Sequence, residues 1–255
     1  MSAPAGTAPL VELADVWKSF DRKPVLRGVS LGLVKGTTLA VMGGSGEGKT
    51  VLLRIADGLL WPDRGRVALF GVRIDNMREE TMLPLRRRTG FVFQGAALFD
   101  SLSVFENVAY PLREHTRMSL GEITDRVHRF LALVGLPGVD DLVPAELSGG
   151  MRRRVGIARA LVMEPEVVFF DEPTAGLDPT NARLVAELIA ELRKGVCDTA
   201  IVVTHDVEFA NMVADQVAIL HQGRFADVGT PEEIRRSSHA DVRRFLEGEL
   251  REGAP

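Results

Sequence analysis

Apolar and polar positions along the chain divide it into short strands and amphipathic helices. Leu10 to Val16 alternates as a half-buried strand does, and after a turn at Asp21-Arg22-Lys23-Pro24 a second strand-like run spans Val25 to Leu33. Val34-Lys35-Gly36 turns the chain into the apolar run Thr38 to Met42, and Arg66 to Ile74 with Gly71 reads as a hairpin. Gly90 to Phe93 is strand-like and ends at Gln94. The pattern then shifts to period 3.6: Ser103 to Tyr110 and Leu120 to Val134 show helical spacing, with Pro111, Gly135, Pro137 and Pro144 as breakers. A helix is predicted over Met151 to Met163, with Ser148 as its cap. Two continuous apolar runs, Val167 to Phe170 and Thr199 to Thr204, read as buried parallel strands. An amphipathic helix spans Thr180 to Lys194, and Glu208 to Val213 is helical. Gln216 to Leu220 and Arg224 to Val228 form strands joined by Gln222-Gly223. Thr230 caps a short turn, and Asp241 to Glu249 in the tail reads as one more helix. The fold class expected is α/β.

The apolar run Thr38 to Met42 leads into Gly43-Gly44-Ser45-Gly46-Glu47-Gly48-Lys49-Thr50, with Val51 to Ala56 helical after it. This is a G-x-x-x-x-G-K-[ST] phosphate loop in its required strand–loop–helix context. Glycines let the backbone wrap an anion, and the helix N-terminus adds positive potential there. Lys49 is placed to reach β- and γ-phosphates, and the Thr50 hydroxyl to hold Mg²⁺. Val167 to Phe170 ends in Asp171-Glu172, the position where a buried parallel strand delivers a site. Neighbouring strand residues face opposite ways, so Asp171 is assigned to Mg²⁺ and Glu172 to the attacking water. Gln94 and His205 each follow an apolar strand. In a parallel sheet both share the edge of Asp171, Gln94 towards metal and water and His205 towards the γ-phosphate, although a polar residue after a strand is more often a turn residue. Ser148-Gly149-Gly150 at a helix N-terminus is a second anion site. Arg152, Arg153 and Arg154 fall where the helix dipole disfavours cations. Solvent is expected to take at least two of them, and the run Arg86-Arg87-Arg88 is expected to lie on a solvated face.

The 255 residues carry a net charge of −4 with 45% hydrophobic content. That suits a globular core and gives no basic field for nucleic acid. One cysteine, Cys197, excludes an intrachain disulfide and suits a reducing compartment. No secretory signal is expected at Met1 to Pro9, and no apolar run approaches the ~18 residues of a membrane span.

Taken together, the phosphate loop, Gln94, Leu147-Ser148-Gly149-Gly150, the Val167 to Glu172 strand, the Gly176-Leu177-Asp178-Pro179 turn and His205 resemble an ABC transporter ATPase subunit over about residues 10 to 235. The resemblance implies a P-loop NTPase with a RecA-like core, an N-terminal antiparallel β layer and an inserted helical subdomain. Core and β layer are expected at about 10–95 and 160–235, the helical subdomain at about 96–159 and a tail at 236–255. It also implies ATP and Mg²⁺ as cofactors and a head-to-tail homodimer with two ATPs, in which Ser148, Gly149 and Gly150 act on the other copy's nucleotide. Phe20 matches the family's adenine-stacking aromatic, Gly43 to Val51 its nucleotide cradle, and Asp178 the residue that couples the two sites. Met151 departs from the family's usual glutamine. With residues 94–100 and 107–115, it is similar to the ATPases of Mla-type phospholipid transporters. Partners implied are a multispanning permease, an MCE-domain protein and a small regulatory subunit, at the cytoplasmic face of the cell membrane. An ATPase of another ABC importer or exporter, and a soluble ABC ATPase of iron–sulfur cluster assembly, stand as alternatives.

Overall fold

The computed structural model describes residues 8–248. Ala3 to Pro9, small and Pro-containing, reads from the sequence as a loose start; its residues 3–7, and the end of the tail from 249 on, lie outside the described residues. By contact density the chain divides into two units, one running up to Arg86 and resuming at Asp198, the other Arg87–Cys197.

The first unit opens with an antiparallel hairpin, β1 (Val11–Phe20) and β2 (Lys23–Leu33). β1 runs on to Phe20, four residues beyond the alternating stretch, with register shifts between Leu13 and Val16 and again near Lys18. Strand β3 (Thr38–Met42) is buried on both faces, as its unbroken apolar run requires. Helix α1 (Lys49–Ala56) follows the glycine loop and buries Leu52, Leu53 and Ile55. Strands β4 (Arg64–Leu69) and β5 (Val72–Arg73) complete an antiparallel sheet of order β2-β1-β4-β5. The sequence pattern did not foresee α2 (Glu79–Arg86). It buries only Met82 and Leu85 and contains Pro84, so it has no apolar stripe to read. Arg86 in this helix is not merely solvated: it donates to Glu79 at 3.0 Å and to the Gly58 carbonyl at 3.3 Å.

The second unit begins with β6 (Thr89–Val92), and Arg88 before it pairs with Glu166 at 2.6 Å. Of the three-arginine run only Arg87 is exposed. Helices α3 (Val104–His115) and α4 (Leu120–Leu133) each start with a capping box, Ser103 with Glu106 and Ser119 with Glu122. Asn107, fully buried on α3, bonds the backbone of Phe99, Leu102 and Ser103 and so fixes the loop before the helix. Helix α5 (Gly149–Leu161), strand β7 (Val167–Asp171) and helix α6 (Pro179–Leu192) follow, and β6 and β7 pair in parallel.

Back in the first unit, β8 (Ala200–Thr204) leads into α7 (Val207–Val213), then β9 (Gln216–His221), β10 (Arg224–Gly229), α8 (Pro231–Arg235) and α9 (Ala240–Leu246). Here β3 lies between β8 and β9, parallel to both, and β10 closes the β9 edge antiparallel. Met42, Ala210, Val217, Ile219, Ile234, Val242 and Phe245 form one buried cluster that packs the C-terminal helices onto this sheet.

Candidate functional site

Parallel pairing sends residues that are distant in sequence to one edge. In the first unit Met42 is registered with Thr204 and with Ile219, so the glycine loop, His205 and His221 all emerge at the C-terminal edge of the same strands. The loop is shaped by close approach. A Cβ on Gly43 would stand 2.3 Å from the Leu220 carbonyl oxygen, and Gly48 has φ 97° with Val25 against it. Lys49 is 8% exposed, and its ammonium donates to the carbonyls of Gly43 and Gly44, both at 2.9 Å. The lysine thus lies folded along the loop. Thr50 is half-buried, while Ser45 and Gly46 are exposed. Glu47 does not face outward: its carboxylate meets His221 Nδ1 at 3.0 Å and accepts from the Gln222 N–H. His205 is exposed on a tight turn. Asp206 next to it caps α7 by accepting from the Phe209 N–H, and its own N–H donates to the Thr204 hydroxyl. Phe20 ends β1 at 45% exposure, with the Lys18 ammonium 5.4 Å from its ring centre.

In the second unit Val92 is registered with Phe170, so Gln94, Asp171 and Glu172 leave one edge together. Gln94 is exposed in a turn. Asp171 is 2% exposed, and Glu172, 8% exposed, has a left-handed φ of 46°. That backbone conformation is uncommon for a residue with a side chain and clusters at functional sites. Ser148 caps α5, accepting from the Met151 N–H at 3.2 Å, so Met151 contributes its backbone to the cap.

The arginines of α5 leave the solvated reading standing for Arg152, which is exposed, and in part for Arg154, which is half-buried, and set Arg153 apart as buried. Arg152 donates to the carbonyls of Pro144 and Leu147, and Arg154 to those of Val134 and Gly135. Arg153 is buried and donates to the Glu172 carbonyl at 2.8 Å and the Ala175 carbonyl at 3.2 Å. Burial pushes the Arg153 guanidinium below its usual pKa, and the Asp171 and Glu172 carboxylates oppose that shift. Arg153 is thus held by backbone carbonyls out of solvent, while Arg152 stays exposed and Arg154 half-buried, each also bonded to carbonyls. Further along α5, Arg159 donates to the Ala96 carbonyl at 2.9 Å, and Gly156 lets Ala96 pack closely. One helix thus carries Ser148 to Gly150 at its start and holds the loops after β7 and β6.

Asp178 caps α6 and accepts from both the backbone N–H and the side-chain amide of Asn181, at 3.1 and 2.6 Å. The Asn181 amide, then its backbone, hold the Asp178 carboxyl below the usual range. A Cβ on Gly150 would stand 2.4 Å from Asn181 Oδ1. Asn181 therefore touches both the Ser148–Gly150 start of α5 and Asp178. The sequence pattern held no sign of Asn181, and it marked Arg153 only as one of three arginines near a helix start, without a partner. The unfavourable position of Arg153 near a helix start was the one available signal.

Among the described residues no group of three or more His, Cys, Asp or Glu side chains could hold a metal alone. Mg²⁺ takes few protein ligands, of hydroxyl, amide or carboxylate oxygen, and completes its shell with phosphate and water, so it does not need such a group.

The family model described as ABC transporter matches residues 26–175. This chain belongs to the ABC transporter family. The ABC chain is 41% identical to protein TRIGALACTOSYLDIACYLGLYCEROL 3, chloroplastic, of Arabidopsis thaliana, over 94% of this chain and 74% of that one. It is 39% identical to the intermembrane phospholipid transport system ATP-binding protein MlaF of Escherichia coli K12, over 94% and 90%. It is 38% identical to the probable ribonucleotide transport ATP-binding protein mkl of Mycobacterium leprae, over 96% and 70%. The dimeric post-hydrolysis structure of the ATP-binding cassette MJ0796 bound to ADP and Pi superposes with a TM-score of 0.80 at 30% identity, covering 87% of this chain and 98% of that one. The chain is an ABC ATPase cassette that binds and hydrolyses ATP.

Proposed function

We propose that this ABC ATPase powers phospholipid movement between membranes, as a homodimer docked on a multispanning permease at the cytoplasmic face of the cell membrane. The observation that carries the reading is 39% identity to MlaF over 94% of this chain and 90% of that one. No described helix is long and apolar enough to cross a membrane, so the permease supplies the spanning part. An MCE-domain protein and a small regulatory subunit complete the assembly. The permease docks on the loop and helix of residues 94–115, where Phe99 and Tyr110 pack with ring centres 4.8 Å apart at a 46° tilt, both residues more than 40% exposed.

Within the dimer, Gly43 to Val51 cradles the phosphates, Lys49 reaches the β- and γ-phosphates, and Phe20 stacks on the adenine. Thr50, Gln94 and Asp171 hold Mg²⁺, which when bound neutralises charge on the phosphates. Glu172 orients and deprotonates the attacking water, and His205 contacts the γ-phosphate. Ser148, Gly149 and Gly150 close on the other copy's ATP, and Asp178 couples the two sites. We read the cassette as one domain: core and β layer at about 10–95 and 160–235, helical part at about 96–159, and a tail from 236.

The mkl relative favours a second reading, a cassette for a ribonucleotide or other solute. Affinity purification of the native complex with lipid extraction separates the two. Enrichment of phospholipid with a co-purified permease and MCE-domain protein is expected. A permease with a soluble solute-binding protein and no lipid would favour the second reading.

A further inference from the structure

Glu47 sets a physical problem. It places a carboxylate inside a loop built to receive a triphosphate, and like charges repel strongly at sites with little water. The structure gives that carboxylate two partners, both in the β9–β10 turn. His221 Nδ1 lies 3.0 Å from Oε1, and the Gln222 N–H donates to Oε2. A carboxylate only accepts, so His221 presents its N–H at Nδ1. The two side chains are 16% and 21% exposed, which limits competition from water. The other ring nitrogen, Nε2, faces Asp241 on α9 at 3.9 Å, and Asp241 pairs with Arg244. The turn that carries His221 is itself fixed. The Gly223 carbonyl accepts from the Arg27 N–H at 2.8 Å, and the Leu220 carbonyl abuts Gly43.

We propose that His221 is a positioning residue for nucleotide binding. Together with the Gln222 N–H it draws the Glu47 carboxylate onto the β9–β10 turn, away from the bound phosphates, and fixes the conformation of the loop. Without His221 a negative charge is released into the cradle. Without Glu47 as well, His221 is no longer needed. The inference rests on residues 43–50 being the phosphate loop.

The test is equilibrium titration of the full chain with ATP and Mg²⁺ under non-turnover conditions, comparing wild type with His221→Ala, His221→Asn, Glu47→Ser, the Glu47→Ser/His221→Ala double variant and Lys49→Ala. His221→Ala is expected to weaken binding on the order of tenfold, from the freed like charge. His221→Asn, which sets an amide N–H where Nδ1 stands, is expected to keep most of the affinity. The double variant is expected to bind within about twofold of Glu47→Ser alone, because the two changes act on one interaction. In steady-state turnover His221→Ala is expected to raise KM by more than it lowers kcat. A role confined to packing the β9–β10 turn would leave the double variant at least as weak as His221→Ala, and that result overturns the proposal. So does unchanged binding by His221→Ala while Lys49→Ala loses affinity. Unchanged binding by Lys49→Ala would overturn the phosphate-loop reading and this inference with it.

Discussion

Arg153, buried on α5, donates to the backbone carbonyl of Glu172 at 2.8 Å. The bond ties the helix that starts at Ser148–Gly150 to the residue proposed to activate water, and a second bond to the Ala175 carbonyl anchors the following turn. Glu172 sits there in a left-handed backbone conformation, which persists only where its surroundings hold it.

Arg153→Met removes both donors while keeping much of the stem. The buried Glu172 carbonyl keeps the Ala175 N–H at 3.2 Å but loses its shorter donor, and the part-buried Ala175 carbonyl loses the guanidinium, at a cost on the order of 2 kcal/mol. The expected result is a lower melting temperature and an ATPase rate that falls further than stability alone explains, as Glu172 loses its support. Calorimetry and steady-state turnover on the same sample check this, and full turnover in Arg153→Met would dissociate Glu172 from α5.

Gly150→Ala drives a methyl to within 2.4 Å of Asn181 Oδ1. The Asn181 side chain must move, and its 2.6 Å bond to Asp178 breaks. Turnover is expected to fall in Gly150→Ala and, more mildly, in Asn181→Ala. Because the two residues touch, Gly150→Ala/Asn181→Gly is expected to recover part of the loss. Strict additivity of the two rates would show that the contact carries no coupling.

Much of this was legible along the chain. β3, β7 and β8 are unbroken apolar runs, so their burial follows from pattern alone. Ser148 announced its cap. What stayed hidden depends on which distant groups tertiary packing brings close. Arg152, Arg153 and Arg154 find carbonyls from three separate segments, and no local rule names them. Glu47 and His221 lie 174 residues apart and meet only because β3 and β9 pair in parallel. Helix α2 lacks an apolar stripe and contains Pro84, so its residues read as loop. The arrangement of Asn181 against Gly150 needs the packing of α5 on α6, which periodicity does not give.

Asp178 makes stability depend on pH in a definite direction. Its folded pKa is depressed below the ordinary carboxylate value of 3.8, through Asn181 first. Such a group adds stability above its unfolded pKa and loses it as pH falls through the folded value. The melting temperature of Asp178→Asn is therefore expected to lie below wild type at neutral pH, with the gap closing below about pH 4. A gap that widens in acid would contradict the assignment.

Lys49→Ala removes the ammonium that lies along the loop, bonded to the Gly43 and Gly44 carbonyls. Nucleotide affinity is expected to fall at least about 100-fold, since charge-assisted contacts to phosphate are the strong ones. Titration with a fluorescent ATP analogue reads this directly. Affinity within twofold of wild type, on the tenfold-per-1.4 kcal/mol scale, would remove Lys49 from the cradle.

In the proposed cycle two copies clamp ATP, and Glu172 sets the rate at which the clamp reopens. Glu172→Gln keeps shape and removes the base, so the most direct measurement is its association state and single-turnover rate in the presence of ATP and Mg²⁺. A stable ATP-bound dimer that hydrolyses at least about 100-fold more slowly than wild type is the expected result. Near-normal turnover, or a chain that stays monomeric with ATP bound, would contradict it.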